Sequence, residues 1–180
     1  MSLWEDILKL EKEQCLKIGK KFDEISWGNL NEQSQIDCIN ELADFLVDRM
    51  KIKKKPKIEL GKLQNDYGAY LPESNKIYIN KDTLAVGGTL TAVTLAHELR
   101  HAYQFQIIHE VESLKWTKLY KTNLRQRLDY FISNPNNDPV QLWKENYKKY
   151  YNDGPEYEEQ PLEFDAFRYE RKFLEKFFTE

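Results

Sequence analysis

The segment over residues 89–109 gives the strongest indication of the fold. Residues 90–108 contain no glycine or proline, two glycines precede them, and Thr89 is a suitable N-cap. These features predict a single helix over 89–109. Four apolar residues recur in it at helical spacing and predict a buried face: Ala92, Leu95, Leu99 and Ala102.

This helix carries the pentapeptide His-Glu-Leu-Arg-His at positions 97–101. His97 and His101 are four residues apart, so their rings project side by side from a helix and can bind one metal ion. Glu98 follows the first histidine and can reach a zinc-bound water without being a ligand itself. The alternative is a solvated helix with two incidental histidines, although the chain has only three histidines in total.

Composition predicts one domain spanning residues 1–180. The chain is 41% hydrophobic and 13% aromatic, enough to bury a core. Its net charge of -3 gives no general attraction to nucleic acid. The N-terminus is acidic and no long apolar run is present, so the sequence predicts a cytoplasmic protein without a membrane span. Cys15 and Cys38 lie at apolar positions of predicted helices, which favours buried free thiols.

The periodicity predicts an α+β fold made mostly of helices. Two N-terminal helices fill residues 1–50, the first ending near Phe22 and the second capped by Asn31. A lysine-rich run over 51–57 follows, which is typical of a solvated linker or a guard of a sheet edge. A nucleic-acid patch is the alternative for this run, but it lacks interleaved aromatic residues.

Short extended segments over residues 57–80 predict a small three-stranded antiparallel sheet before the motif helix. The strands are expected at 58–60, 67–71 and 76–80, and residues 72–75 are expected to form a hairpin turn. An exposed edge of such a sheet can bind an extended peptide by strand addition.

After the motif helix, residues 111–180 are predicted to be helical. One helix is expected over 111–132, and Pro139 is expected to start a short helix that reaches about Tyr150. The last helix begins at Pro161 and ends near Phe178. Its expected apolar contacts are Leu162, Phe164, Phe167, Leu174 and Phe177.

A catalytic zinc ion usually has three protein ligands, so the two histidines need a partner. His109 lies two turns after His101, about 12 Å further along an unbroken helix, and is therefore out of reach. Glu163 is the better candidate, because a packed helix rarely carries acids beside its apolar face unless those acids have a partner there. Asp165 is expected to hold a histidine ligand in its orientation without contacting the metal itself.

Two alternatives for these acids stay open. Glu163 and Asp165 could simply stabilise the positive N-terminus of their helix. Glu158 and Glu159, just before Pro161, are fallback ligands that otherwise form a solvated cap.

The chain resembles the ImmA/IrrE family of zinc peptidases over about residues 58–178. The resemblance lies in the Gly-Ala-Tyr strand, the Ile-Tyr-Ile-Asn strand, the Thr-Leu-Ala-His-Glu-Leu-x-His helix and the acid-rich last helix. It implies a zincin-like fold in which His97, His101 and Glu163 hold Zn²⁺ and Glu98 is the general base. Asp165 matches the acidic or amide residue that follows the family's ligand two positions later.

Two functions follow from these patterns. The first is a zinc-dependent metallopeptidase that hydrolyses a protein or peptide substrate, with Glu98 activating a zinc-bound water. The second is a non-catalytic zincin-fold module that binds metal or another protein, for which a base at position 98 would have no use. Tyr169 is one candidate for the residue that stabilises the oxyanion, although eleven tyrosines leave that choice open, and Arg100 is expected to be a surface or ion-pairing residue. Neither function predicts an oligomeric state.

Overall fold

The computed structural model describes residues 3–114, 139–151, 154 and 156–179. The predicted helix over 111–132 lies outside these residues from position 115 onward, as does the loop over 133–138. Within the described part of the chain, every helix is too short or too polar to cross a membrane.

The described chain is mostly helical with one small sheet, which confirms the α+β prediction. Its helices, in chain order, are α1 Leu3–Gly19, α2 Glu24–Gly28, α3 Glu32–Met50, α4 Lys81–Val86, α5 Gly88–Leu114, α6 Pro139–Lys148 and α7 Pro161–Phe178. A 3-10 turn over Lys20–Phe22 extends α1 to the predicted end. The sequence analysis missed α2 and α4, whose five and six residues are too short for a periodic pattern.

Helices α2 and α3 each begin at a residue whose side chain caps the helix. The Asn31 side chain accepts a hydrogen bond from the Ser34 backbone N–H at 2.9 Å, as predicted for the start of α3. Asp23 caps α2 in the same way through Ser26, at 2.7 Å. Cys15 is buried, as predicted, whereas Cys38 is only half-buried.

The three strands form where predicted, but the sheet is mixed rather than antiparallel. The strands β1 Lys57–Gly61, β2 Gly68–Leu71 and β3 Lys76–Asn80 lie in the order β1-β3-β2. β3 is antiparallel to β2 and parallel to β1. The reason is that the chain crosses to the opposite edge after β1 and returns through the β2–β3 hairpin, which inserts β3 in the centre.

The hairpin turn over 72–75 is confirmed. Asn75 donates its backbone N–H to the Pro72 carbonyl at 3.2 Å and has φ 50°, a left-handed conformation that asparagine tolerates. This turn joins β2 and β3 as antiparallel neighbours.

The motif helix α5 lies at the centre of the core, contacted by α3, α6, α7 and the sheet. Its predicted apolar face is confirmed, since Ala92, Leu95, Leu99 and Ala102 are all buried. The helix begins at Gly88 rather than after Thr89, and it continues past His109 without a break to Leu114. Thr89 does not cap it; its hydroxyl donates to the Phe22 carbonyl at 3.3 Å instead.

The lysine-rich run is held by ion pairs. Four of its five lysines contact acids: Lys51 with Asp48, Lys53 with Glu110, Lys55 with Asp44 and Lys57 with Glu59. These pairs fit the expectation of a solvated linker that runs into the edge strand β1.

The contact between α1 and α7 gives the first testable prediction. A Cβ at Gly19 would lie 2.0 Å from the Phe177 carbonyl oxygen, so Gly19→Ala must push the two helices apart. We expect a loss of about 1 to 3 kcal/mol of unfolding free energy, the usual range for overpacking. Thermal unfolding followed by circular dichroism measures it.

Gly28→Ala is the matched control for this prediction, because a Cβ at Gly28 meets nothing within 4 Å. We expect its melting temperature to stay at or above that of the parent. Equal melting temperatures for both variants would contradict the close α1–α7 approach.

Candidate metal centre

Three side chains that are far apart in sequence converge on one point. The Nε2 atoms of His97 and His101, both on α5, are 3.1 Å apart. Glu163, in the first turn of α7, lies 3.2 Å from each of them, one carboxylate oxygen on each ring. The structure therefore brings together the three residues that the sequence analysis chose as ligands.

The chemistry and spacing of this group fit a divalent metal ion. Two imidazole nitrogens and a carboxylate oxygen are zinc donors, and ligands about 2.0–2.1 Å from a tetrahedral ion lie about 3.3 Å from one another. Glu163 is 0% exposed. A fully buried carboxylate requires positive charge beside it, so its placement between two histidines is not that of a solvated helix end.

The group is strongly coupled electrostatically. Burial lowers the pKa of His97, but hydrogen bonds to Glu163 and Glu170 outweigh it and raise the pKa to about 10. The pKa of His101 is raised as well, again because Glu163 outweighs burial. Burial raises the pKa of Glu163, yet the two histidines hold it well below its usual range. Glu163 is therefore an ionised carboxylate that can bind a cation.

Each histidine is oriented by a second partner on its other ring nitrogen. The Nδ1 atom of His97 lies 3.2 Å from a carboxylate oxygen of Glu170, on α7. The Nδ1 atom of His101 lies 2.9 Å from the side-chain oxygen of Gln104. Both partners accept a hydrogen bond, so each Nδ1 carries a proton, and each Nε2 is the nitrogen that faces Glu163, where a bound metal ion would replace the Nε2 proton.

Asp165 was expected to orient a histidine directly, but it contacts Gln104, which in turn contacts His101. It binds Arg100 through two hydrogen bonds of 2.7 and 3.0 Å and accepts another from Gln104 at 2.8 Å. Gln104 is fully buried and donates to the Leu162 carbonyl at 2.9 Å as well. Asp165 thus holds the amide that in turn contacts His101.

Arg100 forms an ion pair, as predicted. Its partner is Asp165, so this ion pair supports the hydrogen bonds that orient His101. Its guanidinium also lies over the rings of Tyr103, at 4.6 Å, and Tyr169, at 5.4 Å. Tyr169 is therefore committed to Arg100, and it does not line the cavity beside the histidines. The structure gives no support to Tyr169 as the oxyanion partner.

Glu98 lies beside the ligand group without belonging to it. It is only 7% exposed. Burial raises the pKa of its carboxyl, while His101, His97 and a hydrogen bond from the Tyr70 backbone lower it, and the net shift is upward. A carboxylate with a raised pKa is a better proton acceptor than one in water.

A cavity of about 400 Å³ opens onto Glu98 and His101. One of its walls is β2, and the others come from the hairpin turn, α5, α6 and the segment before α7. Its other lining residues are Asp66, Gly68, Ala69, Tyr70, Pro72, Glu73, Phe105, Tyr147, Tyr150, Tyr157 and Leu162. A small molecule or a short stretch of chain fits a space of this size.

The outer edge of β2 borders this cavity. Asn80 donates to the Tyr67 carbonyl at 2.9 Å, and bonded and non-bonded pairs alternate along antiparallel strands. The backbone groups of Gly68 and Tyr70 therefore point away from β3. β2 can come this close to α5 because Gly68 has no side chain: a Cβ there would lie 2.5 Å from Thr94 and 3.2 Å from Glu98.

The remaining candidates lie elsewhere. His109 is exposed on α5, and Glu158 and Glu159 are exposed before α7; none belongs to the ligand group. Phe164, expected to be an apolar contact, is 54% exposed. This prediction was wrong because Glu163, one residue earlier, occupies the inward position on α7.

Four residues of the site were not predicted from the sequence. Glu170 lies seven positions after Glu163, on the same helix face, so helical spacing could have identified it. Gln104 lies three positions after His101, so helical spacing could have identified it as well. Tyr150 donates a short hydrogen bond to Glu163, and Tyr157 lines the cavity beside it. No spacing rule identifies these two tyrosines, because they lie outside regular helices.

Comparison of the chain with family models, curated proteins and solved structures gave no significant match.

Proposed function

We propose that this protein is a zinc-dependent metallopeptidase. The observation that carries the proposal is the position of Glu163, fully buried between the two motif histidines, next to a cleft that His101 and Glu98 line. A metal site that only stabilised the fold would not need a buried carboxylate beside it that is not a ligand. The resemblance to the ImmA/IrrE peptidases agrees with this proposal but rests on the sequence motifs alone.

His97, His101 and Glu163 would hold the ion. Zinc bound there would supply a Lewis acid that acidifies water and polarises a substrate carbonyl. Glu98 would accept the proton of the attacking water and pass it to the leaving amine. Glu170 and Gln104 would keep the two imidazoles in one tautomer and orientation throughout.

Tyr157 is our candidate for stabilising the oxyanion. Burial and then the Glu163 charge raise the pKa of its hydroxyl, so the group stays protonated and can donate a hydrogen bond. Tyr150 lies beside it, and its hydroxyl donates a short hydrogen bond to Glu163.

The substrate class follows from the shape of the cleft. The edge of β2 offers the outward-pointing backbone groups of Gly68 and the carbonyl of Tyr70, which an extended peptide can pair with, while the Tyr70 N–H donates to Glu98. A peptide aligned there would pass in front of Glu98. We therefore propose a protein or peptide substrate that is bound in an extended conformation.

The test is metal-dependent cleavage by purified, tag-free protein. We expect about one zinc ion per chain by elemental analysis, cleavage of a proteome-derived peptide library by mass spectrometry, loss of cleavage on chelation and recovery with added Zn²⁺. Absence of stoichiometric metal would overturn the proposal. Stoichiometric zinc without any cleavage would favour a non-catalytic zincin-fold module instead.

A further inference from the structure

One wall of the cleft is a cluster of three aromatic rings. The rings of Tyr70 and Phe105 have centroids 5.7 Å apart, and those of Phe105 and Tyr147 are 4.6 Å apart in an edge-to-face arrangement. The three rings come from β2, α5 and α6, so the tertiary fold assembles them. All three border the cavity that reaches Glu98.

This aromatic cluster lies in an acidic part of the cleft. Glu73, in the hairpin turn, accepts a hydrogen bond from the Tyr147 hydroxyl at 3.4 Å. Asp66, just before β2, also lines the cavity, whereas no described lining residue is lysine or arginine. Glu98 and Glu163 would be balanced by a divalent ion, so Asp66 and Glu73 set the sign of the field that a substrate meets.

Aromatic faces beside a carboxylate are the arrangement that attracts an organic cation. The ring quadrupole and the carboxylate charge both favour a guanidinium or ammonium group. An apolar side chain would gain contact with the rings but would gain nothing from the charge of Glu73, which is exposed to solvent. The cluster therefore discriminates in favour of a basic side chain.

Its place along the substrate follows from helix geometry. Phe105 is one turn after His101 on α5, about 6 Å along the axis, and an extended peptide advances about 3.3 Å per residue. A side chain about two residues from the scissile bond would reach the cluster.

We propose that the subsite formed by Tyr70, Phe105, Tyr147 and Glu73 selects substrates with an arginine or lysine about two residues from the cleaved bond. This inference rests on the proposed peptidase function. It assigns to Glu73 and Tyr147 the role of specificity residues, neither of which contacts the metal ligands.

Cleavage-site profiling tests the preference. A peptide library with blocked N-termini excludes recognition of a terminal amine, and we expect arginine and lysine to be enriched about two residues from the cleavage sites. Glu73→Gln should lower the preference for arginine over norleucine in matched peptides by about 3- to 5-fold, and Tyr147→Leu by a similar factor. Glu59→Gln, the same change on β1 outside the cleft, should leave the preference unchanged.

A binding measurement separates this inference from the catalytic proposal. Peptides selected from a display library on zinc-loaded Glu98→Gln protein should also be enriched in arginine and lysine, and this enrichment should fall with Glu73→Gln added. If peptides are cleaved or selected without such enrichment, or if enrichment survives loss of Glu73, the subsite assignment is wrong while the peptidase proposal stands. If no peptide is cleaved or selected at all, both fail.

Discussion

Replacing Glu163 by glutamine should remove zinc from the protein. The amide keeps the shape of the side chain but loses the charge that lies 3.2 Å from both histidines. Loss of an outer partner of a metal ligand typically costs about 10- to 100-fold in affinity, so loss of a charged ligand should exceed roughly 100-fold. Elemental analysis after dialysis against a weak chelator measures the retained zinc.

The same variant should lose the stabilisation that zinc gives. At a free zinc concentration 100 times the Kd, binding adds about 2.7 kcal/mol to the parent, which corresponds to a rise of about 5 to 11 °C in Tm. Glu163→Gln should show no such rise at that concentration. The Tm without metal shows whether the variant is folded.

Glu159→Gln is the matched control, since Glu159 is an exposed acid just before α7 and a fallback ligand on sequence grounds. It should retain zinc fully. If Glu159→Gln lost the metal and Glu163→Gln kept it, the assignment of the third ligand would be wrong.

Replacing Glu98 by glutamine should abolish cleavage and leave the zinc in place. Glu98 lies outside the group of three ligands, so metal content should not change. Loss of the general base should reduce the rate by about 10²- to 10⁴-fold, because glutamine cannot accept a proton. Initial rates on a peptide identified from the library, measured with zinc-loaded protein, give the factor.

Glu110→Gln makes the same change on the same helix, at a residue that is paired with Lys53 and does not line the cleft. We expect it to cleave at the parental rate. Equal cleavage by the Glu98 and Glu110 variants would exclude Glu98 as the base, and loss of zinc from the Glu98 variant would make Glu98 a ligand instead.

The helices were predictable where side chains encode their own periodicity and caps. The buried face of α5 and the Asn31 cap of α3 are local properties, and the structure confirms both. The strands were equally visible, but their order was not. Alternation along a strand shows which side chains are buried; it does not show which neighbour supplies the hydrogen bonds, and β3 has one on each side.

The site, too, has one part that the sequence predicts and another that depends on folding. His97, Glu98 and His101 share one helix turn, so helix geometry alone predicts their proximity. Glu163 could be chosen because an acid on an apolar helix face is unusual, although only folding shows that it lies between the histidines. Asp165 was expected to contact a histidine directly, which was wrong, because the sequence cannot show that Gln104 lies between Asp165 and His101.

The motif helix, its two histidines with the adjacent glutamate, and the class of partner that they require are all evident from the amino-acid order. These follow from a repeat of 3.6 residues per turn, which any isolated helix would show. The folded chain was needed to show that Glu163 and Glu170 reach His97, that β2 borders the cleft, and that Tyr70, Phe105 and Tyr147 meet beside Glu73. Those contacts join separate elements, and their distances depend on how α5, α6, α7 and the sheet pack together.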